Sequence, residues 1–331
     1  MDTLRFKVEN ELDRVRHDRG NDGLRDYIKQ LAQKDKRRAI DLINEEELSF
    51  ASLFVFRDEI QQLGFFSHMN IRNKIALEIV DETLKEYKVE LAPSDMVSNF
   101  IQNVRMALKW MLTTGAFDDG MSDEYDEVMD ITAILLVKVY KDKGILPLLA
   151  DMIFKRYKMG TCIHDLAWAF FEGKEPYSLI SIGNRLRSRE IKDVELACKL
   201  LGFIPGVDVK SSVDGETQYL GFFNWIEENR PFLYFTGESF QQKNSPTPYV
   251  VVLEAKYLCK FISIDTGKSL EPLTREEDEL LSSFDKQDDD TKISLSSYSF
   301  KLHHDDVDNW SIWIHRPIEE QIKIAEAGQV K

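Results

Sequence analysis

Between residues 24 and 203 apolar side chains return at intervals of three and four, with breaks of only a few residues. That spacing puts them on one side of a helix, so the segment is predicted to be a succession of amphipathic helices. Leu24, Ile28, Leu31 and Ala32 make the first stripe behind an Asn21 or Asp22 cap, and Ala39, Leu42 and Ile43 continue it. A second helix is expected over 45–63, stopped by Gly64, and a third over 70–89, punctuated by Pro93-Ser94-Asp95. A fourth, capped by Ser94 or Asp95, runs to Gly115. Further stripes cover 125–141, 145–157, 161–171, 177–187 and 192–201, and Gly202 and Pro205 close the series.

These helices predict an all-α N-terminal domain over residues 1–205, built as an irregular helical array. The aliphatic spacing of 179–186 and 194–201 resembles the paired helices of HEAT or armadillo repeats, without a fixed recurring period. After Pro205 the chain changes character. Residues 206–218 are rich in Gly, Asp and Ser and are expected to be a linker or surface loop. Beyond it a short helix over 221–230 precedes strand-like runs at 232–236, 249–259 and 261–265, with a turn at Asp265-Thr266-Gly267. Thr274-Arg275-Glu276-Glu277 is a capping box for a helix to Phe284. Two more strands are expected at 293–302 and 310–314, then a terminal helix over 318–327, giving a smaller α+β domain over 206–331.

The chain has 331 residues, enough for two domains. Its 43 lysines and arginines against 58 aspartates and glutamates leave a net charge of −15, which disfavours nonspecific attraction to nucleic acid or anionic membrane. Residues 206–331 hold thirteen basic against twenty-three acidic residues, so that part is the more acidic, and its natural partners are basic protein surfaces or cations. The longest strongly apolar stretch, near 131–139, is far short of the ~20 residues that cross a bilayer, and residues 1–20 are charged throughout. No membrane partner and no secretory leader are expected. Cys162, Cys198 and Cys259 stand apart among apolar residues, as reduced, buried thiols of a cytoplasmic protein would.

One pattern suggests chemistry. Val250-Val251-Val252-Leu253-Glu254-Ala255-Lys256 reads as an apolar strand ending in Glu-x-Lys, and Glu238 lies sixteen positions upstream. On one strand Glu254 and Lys256 would share a face. Over residues 221–302 this resembles the core of the PD-(D/E)XK nuclease superfamily. The resemblance implies a metal-dependent nuclease or phosphodiesterase acting on nucleic acid. Glu238 and Glu254 would hold Mg²⁺, Lys256 would orient the attacking water, and Glu227 would be a fourth member. The upstream acid stands in Thr236-Gly237-Glu238 where the family has Pro-Asp, and no run of Lys or Arg is present to track a phosphate backbone.

Other groupings have simpler readings. Thr266-Gly267-Lys268-Ser269 lacks the upstream glycine of a P-loop, since Ile262 stands there, and reads as a turn. His303-His304-Asp305-Asp306 carries metal-capable groups in an expected connection, and Cys162 and His164 would point to different helix faces. The acidic run 118–126 lacks the EF-hand spacing and reads as a solvated loop. Lys34 to Arg38 reads as a basic helix surface, and the aromatic group Phe222, Phe223, Trp225, Phe232, Tyr234 and Phe235 as core. No G-x-S-x-G is present, and the six histidines form no hydrolase signature. The leading expectation is therefore a non-catalytic, cytoplasmic protein-interaction factor, an adaptor, regulator or immunity-like protein that docks a protein partner on its helical surface. The metal-dependent nuclease is the alternative.

Overall fold

The computed structural model describes residues 10–85, 98–210 and 213–329. The chain divides into two compact units, residues 1–173 and 174–331. The stretch 206–218, expected to link two domains, thus lies inside the second unit. Most of the described chain is helical, and its two named strands form one small antiparallel sheet.

The first unit contains α1 (Glu11–Lys34), α2 (Lys36–Ile43), α3 (Phe50–Val55), α4 (Arg57–Gln62), α5 (Ile71–Thr83), α6 (Ser98–Gly115), α7 (Asp123–Ile134), α8 (Leu146–Met159) and α9 (His164–Glu172). Its first helix begins eleven or twelve residues before the start implied by an Asn21 or Asp22 cap. Asn10 caps it, its side chain accepting from the Leu12 N–H at 2.7 Å, and Gly20 breaks the path with φ 74°. That left-handed backbone suits glycine, because no Cβ meets the preceding carbonyl. Asn70 caps α5 and Gly64 ends the preceding turn at φ 66°, both as the sequence implies. The cap expected at Ser94 or Asp95 lies outside the described residues. The core gathers around Phe50, Phe54 and Tyr125, with Phe50 and Tyr125 stacked at 5.7 Å and the Tyr125 hydroxyl donating to the Gly115 carbonyl at 2.9 Å.

The second unit begins with α10 (Leu179–Gly183), α11 (Ile191–Leu201) and α12 (Gly215–Asn229). Strand β1 (Leu233–Phe235) then pairs with β2 (Tyr249–Val251), with Tyr234 opposite Val250. The chain continues through α13 (Leu253–Tyr257), α14 (Arg275–Phe284), α15 (Asp289–Asp305), α16 (Val307–Ile314) and α17 (Ile318–Gln329). The Thr274 capping box is present with both of its hydrogen bonds. Tyr257 stacks on Phe284 at 4.4 Å inside a core shared with Leu295, Trp313, Ile314 and Ala325.

Four strand expectations are corrected, the first at 261–265, where Ile262 forms only an isolated bridge with Ser269. The run from Tyr249 leaves extended conformation after Val251 and turns into α13, so Glu254 and Lys256 sit on a helix. Residues 293–302 belong to α15, because Asp288 caps it and Leu295, Ser296 and Ser299 are buried on one helical face. Residues 310–314 belong to α16, capped by Asp306, where Trp310, Trp313 and Ile314 share a face at a spacing of three and four. The Asp288-Asp289-Asp290 run is the start of a helix, where acidic side chains face the positive end of the dipole.

Candidate functional site: an acidic cleft in the helical unit

The Glu-x-Lys constellation takes its geometry from α13. Lys256 is 2% exposed, and its Nζ donates to Asn229 Oδ1 at 2.7 Å, 4.0 Å from Glu228 and 5.7 Å above the Phe300 ring. Burial holds this ammonium below the ordinary lysine range, against the pull of Glu228. Lys256 therefore acts as a strut between α12 and α13, with its charge turned into the fold. Glu238 lies on the loop after β1, where the Lys243 ammonium and the Thr247 N–H, the latter at 3.0 Å, hydrogen-bond its carboxylate and hold it below the usual carboxylate range. Glu254 is half-buried in the first turn of α13, and Glu227 is exposed on α12. Among the described residues, no group of three or more His, Cys, Asp and Glu side chains is arranged to hold a metal ion. His303 and His304 lie in the last turn of α15, and His303 packs edge-on against Trp310.

A different cluster draws charged side chains together. The run 118–126, read above as a solvated loop, is anchored at two points. Asp118 forms a paired contact with Arg16, at 2.7 and 3.0 Å. Asp119, fully buried, forms a second fork with Arg156, Nε to Oδ2 at 2.8 Å and Nη2 to Oδ1 at 2.7 Å. The Arg156 Nη1 also reaches Asp130 of α7 at 2.8 Å, and Nη2 donates to the Asp126 carbonyl at 3.2 Å. The 3% exposed Arg156 side chain is costly to lose, because without it the fully buried Asp119 carboxylate would have no counter-charge.

A cleft of about 320 Å³ opens beside this clamp, with Asp123, Asp126, Glu127, Asp130 and Asp165 among its walls and Ile131 and Ile134 as apolar floor. The one cation among its described lining residues is Arg156, already matched by Asp119. The consequence is electrostatic. Burial, with Asp165 and Asp119 nearby, pushes the Asp130 carboxyl up to about 7 against the attraction of Arg156. Burial likewise raises Asp126, opposed by the Gly120 N–H. Burial alone would lower the Arg156 guanidinium, but Asp119 and Asp130 outweigh it and hold it above its ordinary range.

The adjoining turn carries the most exposed large apolar side chain among the described residues, Phe117 at 84%. Its position is fixed, because Lys155 donates to its carbonyl at 2.7 Å and Arg16 holds the next residue. Met159, half exposed, lies against Gly120 of the same turn. Cys162, expected to be buried, is exposed on the rim, and its carbonyl faces the Arg156 guanidinium at 3.5 Å. The sequence carries one signal for this site: Arg156 falls on the buried stripe of α8 with Leu149, Met152 and Ile153, and a cation there requires acidic partners.

No helix among the described residues is long and apolar enough to cross a membrane. The chain matches no family model, no curated protein and no solved structure.

Proposed function

We propose that this protein is a non-catalytic, cytoplasmic interaction factor whose helical unit docks a basic segment of a partner protein. The observation that carries this reading is the cleft itself: five carboxylates line it, and its one arginine is already matched by the buried Asp119. A lysine or arginine of a partner entering there would replace water around the carboxylates with charge-assisted hydrogen bonds. Phe117 and Met159 beside it offer apolar surface that a neighbouring side chain of the partner would cover. Three free cysteines agree with a reducing compartment.

Calorimetric titration with Lys/Arg-rich and Asp/Glu-rich peptides tests the proposal. The basic peptides are expected to bind with an affinity that falls as salt rises, and the double variant Glu127→Lys, Asp165→Lys is expected to lose at least about tenfold. Failure of the basic peptides to bind, or an unchanged affinity for them after the double charge reversal in a folded variant, would overturn it.

A further inference from the structure

The second unit holds a cavity of the opposite character. About 370 Å³ in volume, it is lined by Leu233, Phe261, Ile262, Ile264 and Leu270, with Pro176 and Pro231 at one side. Phe261 and Leu270 are 59% and 65% exposed, which is unusual for large apolar side chains that face each other across a turn. The turn is well made: the Leu270 N–H donates to the Phe261 carbonyl at 2.8 Å and the Ser263 N–H to the Lys268 carbonyl at 2.9 Å. The apolar floor is therefore preformed.

Arg230 stands on the rim of this floor. In a chain with many more acids than bases, it has no carboxylate partner among the described residues. Its guanidinium lies over the Tyr177 ring, 4.2 Å from the centroid. Stacking of this kind occupies the face of the guanidinium and leaves its N–H edge free, the geometry that grips a carboxylate through two parallel hydrogen bonds. The other cation of the lining, Lys174, is already held by Asp265 at 2.6 Å, and Glu175 has interactions of its own. The lone unmatched charge on an apolar cavity is thus positive.

Beside Leu270, the backbone N–H and C=O of Ser269 make no hydrogen bond within the described residues. Ser269 bridges Ile262 as a non-hydrogen-bonded pair, so both of its backbone groups point away from Ile262. A peptide backbone would satisfy them, which a simple carboxylic acid would not.

We propose that this cavity binds an extended peptide carrying a large apolar side chain next to a carboxylate, the carboxylate seated on Arg230 and the apolar group on Phe261 and Leu270. This site is separate in chemistry and position in the chain from the acidic cleft of the first unit, and it stands or falls independently of the function proposed for that cleft.

Fluorescence anisotropy on the full chain tests it, using labelled peptides of alternating Leu and Asp, alternating Leu and Asn, and alternating Leu and Lys, with phenylpropionate as competitor. The Leu/Asp peptide is expected to bind more tightly than the Leu/Asn peptide, and both Arg230→Gln and Leu270→Ser to weaken it by at least about tenfold while leaving the affinity for the Leu/Lys peptide unchanged, with circular dichroism confirming that each variant is folded. Arg275→Gln, a change at an exposed arginine on α14, is expected to leave binding unchanged. Failure of the Leu/Asp peptide to bind, equal binding of the Leu/Asn peptide, or equal loss in Arg275→Gln would overturn the proposal. Full displacement of the peptide by phenylpropionate at equal concentration would overturn the peptide assignment in favour of a small-acid site.

Discussion

Single residues carry the electrostatic character of the first unit, and Asp130 is a carboxyl of the acidic cleft whose titration is moved up toward neutral pH. Its carboxyl is raised to about 7 in the folded chain, whereas an unfolded aspartate titrates near ~3.9. Between these values the folded state holds the extra proton. Stability from this group is therefore fully present below the unfolded value and is lost as pH rises through about 7. Asp130→Asn removes that dependence. Denaturant midpoints of the variant are expected to vary less between pH 5.5 and 8 than those of the parent chain. A basic peptide is likewise expected to bind the parent more weakly at pH 5.5 than at pH 8, with the difference reduced in the variant. Identical pH profiles for the two proteins would remove Asp130 from this role. In the sequence the aspartates of 118–130 all look alike; what separates Asp119, buried against Arg156, from its exposed neighbours is a partner on a helix thirty-seven positions away. Lys256 shows the same dependence on context. A Glu-x-Lys pair is legible as letters, but its meaning depended on whether the backbone stayed extended past Val251.

At the scale of elements, most helices of the first unit were legible because their stripes are long and their stops are marked. The second unit was harder to read. Residues 293–302 present Tyr298, Phe300 and Leu302 at every second position, a strand pattern, while Leu295, Tyr298 and Leu302 also fit a helix. The ambiguity came from serines that look like a solvated face. Ser296 and Ser299 are in fact fully buried, and Ser299 donates to the Tyr257 carbonyl while accepting from Trp310 Nε1 at 2.8 Å. Small polar side chains satisfied in this way let α13, α15 and α16 approach closely. The two readings differ in a measurable way. A strand would put Ile293 and Leu295 on the same face, whereas in α15 Ile293 is 52% exposed and Leu295 fully buried. Leu295→Ala is expected to cost about 2–5 kcal/mol in urea unfolding and Ile293→Ala under about 0.5 kcal/mol. Comparable losses at both positions would contradict the helix.

For the whole molecule, the division after Gly173 decides which piece is self-sufficient. Between it and the composition change after Pro205 lie α10 and α11, whose Leu179, Ile182, Leu196, Leu200 and Leu201 are buried. Helix α12 packs on α10 and on the turn that follows it. The approach is close enough that a Cβ on Gly183 would stand 2.2 Å from the Phe222 ring, so glycine is required there. Composition marks a boundary at 206–218, whereas contacts group α10 and α11 with the chain that follows it. A fragment of residues 174–331 is expected to show a helical circular dichroism spectrum and a cooperative melt. A fragment of residues 206–331 would leave Phe222 uncovered and is expected to bind a hydrophobic dye and to melt without cooperativity. Two fragments melting alike would place the boundary later in the chain.

The three thiols differ sharply in their surroundings. Burial pushes those of Cys198 and Cys259 up, the latter to about 11, while Cys162 faces solvent on the wall of the acidic cleft. An alkylating reagent at neutral pH consequently has one target in the unaltered chain, and a dye attached there would sit where an arriving basic peptide must displace it. Nature has in effect left a ready-made attachment point for watching that cleft fill.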